Sequence, residues 1–153
     1  MAKTHTIWKP GRGVLGPLKP LIGAWHHEGP TKLGLTRCRR VFEPVLGNRF
    51  IRLQATWLTE GKSYEEIALF GAGKDNELTF WSFTSQGGPT SGTRAALPDT
   101  CAEGLCFEAD MPAGRGRMLY WPQGQDGFAF AVEARGNAGW NRFLEQQFTR
   151  DPG

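Results

Sequence analysis

The side chains of this sequence that could do chemistry are few and lie far apart: His27, Arg52, Tyr64, Glu66, Ser82, Arg117 and Tyr120. An arginine offers a planar fork of donors suited to a carboxylate or another anion, so Arg52 and Arg117 are the natural anion contacts. Tyr64-Glu65-Glu66-Ile67 sets two carboxylates side by side. Neighbours on a strand point to opposite faces, so this pair cannot converge on one bond as a glycosidase pair must. Glu66 is expected on the inner face, where a carboxylate needs a partner or a raised pKa. Arg52, on the preceding strand-like run, is the expected partner. Ser82, Thr84, Arg117 and Tyr120 could supply the few polar contacts that orient a molecule, with Phe80 among the aromatics around it.

His26 and His27 are adjacent, so they too face opposite ways; His27 shares parity with Trp25 and is expected inward. Proton transfer through His27 or an inward glutamate is the catalytic alternative. No further His, Cys or Asp sits at ligand spacing, so no metal site is expected. Cys38, Cys101 and Cys106 are read as free thiols in a reducing compartment. Gly11-Arg12-Gly13-Val14-Leu15-Gly16 matches the letters of a dinucleotide fingerprint. It lacks a preceding strand, and Pro17 and Pro20 stop any long helix after it.

Bulk properties narrow the class further. One domain is the simplest organisation for 153 residues. The net charge of +3 carries no long basic run. Its tightest group, Arg37, Arg39 and Arg40 around Cys38, is read as solvated wall, with Arg40 on the face opposite to the other two. No nucleic-acid partner is expected. No apolar run reaches the ~20 residues of a membrane span. A cytoplasmic protein is the expectation, and a homodimer is compatible with it.

These side chains must be positioned by strands. Ten strand-like runs follow one another: 21–29, 36–46, 49–58, 63–70, 77–85, 90–97, 105–109, 115–121, 127–134 and 140–150. Turn signals separate them, such as Leu46-Gly47-Asn48, Glu60-Gly61-Lys62 and Gly87-Gly88-Pro89. The 21 glycines suit turns, bulges and barrel corners. Sequential hairpins predict an all-β, antiparallel up-and-down barrel of about ten strands. A basic, Gly/Pro-rich segment over 1–17 precedes the barrel at 18–153. Within it a helical turn at 13–18, with Trp8, Val14, Leu15 and Leu18 as its apolar side, is expected to plug one end.

The opening Leu21-Ile22-Gly23-Ala24-Trp25-His26-His27-Glu28-Gly29 resembles the start of lipocalins, fatty-acid-binding proteins and related calycins. Residues Arg40 to Ile51, Asp126 to Glu133, Gly139-Trp140 and Phe148-Thr149-Arg150 resemble small bacterial lipocalin-like proteins of uncharacterised function. The resemblance implies a barrel with an internal cavity, Trp25 at its base and Arg150 crossing over Trp25. It implies non-catalytic binding of a small, mainly hydrophobic ligand, with a carboxylate meeting Arg52, Arg117 or Tyr120. A haem-binding calycin branch, the nitrobindins, opens similarly. It ligates iron through a His near the C-terminus, and no His follows His27 here, so no cofactor is expected.

Overall fold

The computed structural model describes residues 8–31 and 34–151. Residues 1–7 of the expected basic segment lie outside them. Ten strands run in chain order: β1 (Gly23–Thr31), β2 (Gly34–Val45), β3 (Phe50–Thr59), β4 (Lys62–Ala72), β5 (Leu78–Thr84), β6 (Gly87–Ala95), β7 (Leu105–Met111), β8 (Gly114–Gln123), β9 (Gly127–Gly136) and β10 (Gly139–Arg150). Each pairs antiparallel with its sequence neighbours, and β10 returns to β1, so the sheet closes. This is the up-and-down barrel that the hairpin spacing predicts. Closure leaves no free sheet edge.

Element boundaries shift from the sequence reading by up to three residues, and two of the shifts have a clear cause in the residues. Leu21 is not the start of a strand; it ends a short 3-10 helix, Gly16–Leu21, and is fully buried. Pro17 and Pro20 fix φ where that helix needs it and remove two amide donors that a strand would have used. Gly87-Gly88-Pro89 does not interrupt the sheet but opens β6. Two of its three residues have positive φ, and Pro89 is exposed at the strand start, where a missing donor costs least.

Alternation divides every strand between lumen and surface. Along β2, Thr36, Cys38, Arg40 and Phe42 are buried while Arg37 and Arg39 are exposed. The 3-10 helix closes the end of the barrel at which β1 begins. Trp8, Leu18 and Leu21 join the inner core there, packed with Trp25, Phe42, Phe70, Phe80, Phe107 and Phe128. The ring of Trp25 meets Phe128 edge-on at 4.9 Å, and Phe107 meets Phe80 edge-on at 5.5 Å. Edge-to-face aromatic pairs of this kind add to simple area burial.

The seam between β1 and β10 is a short ladder, through Trp25↔Arg150 and His26↔Thr149. Side chains extend it. Arg150 places its guanidinium 4.1 Å from the Trp25 ring, donates to Asp126 at 3.1 Å and reaches the Ile22 carbonyl at 3.4 Å. Gly23 makes room for it: its φ is +134°, and a Cβ there would stand 2.6 Å from Arg150 Nη1. A second, smaller core lies outside the barrel wall. Cys106, Leu119 and Ala131 are buried there against Ala95, Leu97 and Trp121.

Gly92, on the inner face of β6, is a tight point of the wall. A Cβ there would lie 2.4 Å from the Glu108 carbonyl oxygen and 2.5 Å from the Phe80 ring. Backbone on one side and a packed ring on the other leave little room to yield. Gly92→Ala should therefore cost about 1–3 kcal/mol by overpacking, measured as a lower urea midpoint at unchanged m-value.

Candidate functional site

Arg40 is the one arginine on the inner face of β2, in phase with Cys38 and Phe42. Its cross-strand neighbours are Trp25 on β1 and Ala55 on β3. It is 1 % exposed. Its guanidinium carbon lies 4.0 Å from the Phe130 ring centre, 5.1 Å from Trp57 and 5.3 Å from Phe148. Nη1 donates to the Tyr120 hydroxyl at 3.3 Å, and the Cys38 thiol faces the group. Nε has no hydrogen-bond partner. No carboxylate of a described residue is in ion-pair contact with it.

The electrostatics of this cluster follow from burial. Desolvation works against the Arg40 charge, but Tyr120, Cys38 and Glu66 more than offset it and hold the group above its ordinary pKa. Burial pushes the Tyr120 hydroxyl up to about 12 and the Cys38 thiol up to about 11. Both are therefore neutral at physiological pH, and they solvate the cation without cancelling its charge. The aromatic faces add cation–π attraction, which strengthens as water is removed.

Around this cation the inner face changes character. Towards the plugged end it is filled by buried aromatics. Towards the other end the inward residues Trp57, Tyr64, Glu66, Thr84, Met118, Val132 and Leu144 are only half-buried. Trp57 contacts Tyr64 at 5.3 Å, and its Nε1 donates to the buried Gln146 at 3.4 Å. Glu66 accepts a hydrogen bond of 2.6 Å from Ser82. A mainly apolar half-lumen with a charged floor is thus assembled from β2, β3, β4, β5, β8, β9 and β10.

The candidates chosen from sequence divide between the two faces. Glu66, Tyr64, Phe80, Ser82 and Tyr120 are inward. His27 is inward and half-buried, its Nδ1 2.8 Å from the Gln147 carbonyl. Arg52 is not inward. It faces out, ion-paired with Glu43, and its cross-strand partners are Glu43 and Leu69. Glu66 lies opposite Ala55 instead, so the expected Glu66–Arg52 cluster does not form. Arg117 also lies on the outer face, in register with Glu133. It donates to Glu133 at 2.6 Å and stacks over Trp140 at 4.3 Å.

Arg40, expected on the solvated wall, lies instead inside the barrel. The clustering of Arg37, Arg39 and Arg40 suggests a solvated wall, whereas alternation sets Arg40 in phase with apolar Cys38 and Phe42.

Two outer-wall groups also join functional residue types. Asp151 accepts from Arg39 at 3.0 Å, stands 2.8 Å from His26 Nδ1, and its amide donates to Ala24. His26 Nε2 in turn lies 3.2 Å from the Thr149 hydroxyl. Hydroxyl, imidazole and carboxylate stand in line, but they span β1, β2 and β10 just where the seam ladder is shortest, and they clasp it. Glu133 is the second group, 6 % exposed and gripped by Arg117 and by Arg142 at 2.9 Å. Burial pushes its carboxyl up, and the two guanidiniums reverse this and hold it below the ordinary value.

In comparisons with known proteins, no family model matches the chain and no curated protein is similar to it in sequence. The class defined by the fold is therefore the closed ten-stranded antiparallel β-barrel with a charged inner floor. No helix among the described residues is long and apolar enough to cross a membrane.

A buried cation with no carboxylate of a described residue in contact is a poor device for stability, and apolar replacement of buried charges together with their polar partners is often neutral or favourable. The double variant Arg40→Met/Tyr120→Phe should unfold at the same urea concentration or be up to about 1–4 kcal/mol more stable. Glu133 gives a pH signature of opposite origin. Its folded pKa is depressed, so its contribution is fully present above the ordinary 4.5 and is lost as pH falls through the folded value. Glu133→Gln should flatten the loss of stability between roughly pH 5 and pH 3, read from urea titrations at each pH.

Proposed function

We propose that this protein is a non-catalytic carrier or sensor of the calycin type. It binds a small, mainly hydrophobic molecule in the barrel with an acidic head on Arg40. The observation that carries the reading is the guanidinium of Arg40, buried to 1 % exposure with Nε unpartnered. Buried polar groups are nearly always hydrogen-bonded, and each exception calls for an explanation. A carboxylate is the complementary ligand group: it would accept from Nε and gain the strength of a charge-assisted bond away from water. Tyr120, neutral and already hydrogen-bonded to Nη1, stands beside it. The half-buried Trp57, Met118, Val132 and Leu144 supply apolar surface for the rest of the molecule.

The calycin assignment draws on the same features. The strands form a simple meander, a 3-10 plug precedes β1, and Arg150 crosses the Trp25 ring at the plugged end.

Calorimetric titration of the purified protein with 3-phenylpropanoate and with 3-phenylpropanol tests the reading. The acid should bind at least about tenfold more tightly than the alcohol, since hydrogen bonds to charged groups are worth roughly 1.5–3 kcal/mol. Arg40→Met should abolish the difference. Equal binding of acid and alcohol to the native protein would contradict the assignment.

A further inference from the structure

The inner face carries a second charge. Glu66 sits two strands from Arg40 in one register row, Trp25↔Arg40↔Ala55↔Glu66↔Thr84. At ~4.8 Å per strand the Arg40 and Glu66 backbones are about 10 Å apart, with only the methyl group of Ala55 between their side chains. Two side chains of this length could meet across that gap. They do not. Arg40 is drawn to Tyr120 and the Phe130, Trp57 and Phe148 rings, and Glu66 to the Ser82 hydroxyl. A cation and an anion thus share one lumen without forming an ion pair. The cation keeps a donor with no acceptor. Glu66 forms one hydrogen bond, through Oε2, and no ion pair with a described residue.

We propose that the ligand is bifunctional: an acidic group binds Arg40, and an amine or hydroxyl a few bonds away donates to Glu66 across Ala55. This rests on the reading of Arg40 as the acid-binding group and narrows it. A plain acid would satisfy Arg40 and leave the glutamate with the Ser82 hydroxyl as its single donor and no cationic partner in a partly dry lumen, which costs free energy. An amino acid, or a hydroxy acid with an apolar body, satisfies both ends. The carboxylate accepts from Nε of Arg40, and the amine or hydroxyl donates to Glu66. The body lies against Trp57, Tyr64 and Leu144, which border the half-buried part of the lumen. Discrimination of this kind is strong, because a site built to pair with a donor rejects an analogue lacking it.

The test is a matched series, titrated calorimetrically into the native protein and into Glu66→Gln. It comprises 3-phenylpropanoate, phenylalanine, 3-amino-3-phenylpropanoate, 4-amino-4-phenylbutanoate and 3-hydroxy-3-phenylpropanoate, so that the donor stands at different distances from the acid. Glutamine keeps the length of the side chain and an oxygen for Ser82, and thermal unfolding confirms that the variant folds. At least one amino or hydroxy acid should bind the native protein tenfold or more tightly than 3-phenylpropanoate. Glu66→Gln should remove that gain, read as the ratio of each amino or hydroxy acid to 3-phenylpropanoate in the same variant, while 3-phenylpropanoate itself binds no more weakly. If 3-phenylpropanoate binds and no member of the series exceeds it, the bifunctional ligand is overturned while the acid-binding role of Arg40 stands. If neither the plain nor the substituted acids bind, both are overturned.

Discussion

Holding a charged guanidinium out of water is the constraint to which the interior of this barrel answers. The idealised cost of burying such an ion is large, and real interiors reduce it to several kcal/mol by supplying dipoles and polarisable faces. Here the supply comes from five strands at once. Tyr120 gives a hydroxyl, Cys38 a thiol, and Phe130, Trp57 and Phe148 their ring faces. None of these carries a negative charge at neutral pH. The arrangement keeps the cation without spending its charge, which is the condition an anion-recognition group must meet.

Everything beneath that cation serves to keep its floor rigid and dry. Proline-fixed 3-10 turns lay Leu18 and Leu21 under Trp25, and the aromatic set from Phe42 to Phe128 fills the lumen at that end. The wall outside is braced separately, by the small core around Cys106, Leu119 and Ala131 and by the Arg117–Glu133–Arg142 group. The seam of β1 and β10 has few ladder pairs and depends on side chains: Arg150 on Trp25, His27 on the Gln147 carbonyl, and Asp151 between His26 and Arg39. Local opening concentrates where backbone pairing is sparse, so this seam is where the barrel is expected to open first.

The fold was legible because period-two alternation and turn chemistry act locally. The strand spacing, the meander and the Trp25–Arg150 contact needed no long-range information beyond the resemblance. The site was only half legible. Tyr64, Glu66, Ser82 and Tyr120, singled out by residue type, do lie on the inner face, but parity alone does not say which face is inner, and register decides which side chains meet. Arg52 was paired with Glu66 on strand adjacency alone, although it is out of phase with the inward residues of its own strand, Leu53 and Ala55. Arg117 is half-buried for another reason: it lies beside Glu133 and under Trp140 on the outer wall, where burial no longer means lumen. Arg40 was missed because local charge density outweighed parity. A strand that reads Thr36-Arg37-Cys38-Arg39-Arg40-Val41-Phe42 puts one arginine in phase with Cys38 and Phe42, and that phase was the usable signal.

The central claim is that the Arg40 Nε–H is buried and waiting for an acceptor. The most direct measurement is the nitrogen-15 correlation spectrum of the arginine Nε–H groups, with the Arg40 signal assigned by its loss in Arg40→Met. The account predicts a signal protected from solvent exchange, displaced by the Phe130 ring, that moves downfield as 3-phenylpropanoate is added. An Arg40 signal that exchanges as fast as those of exposed Arg37 and Arg39, or that stays fixed through the titration, would contradict it.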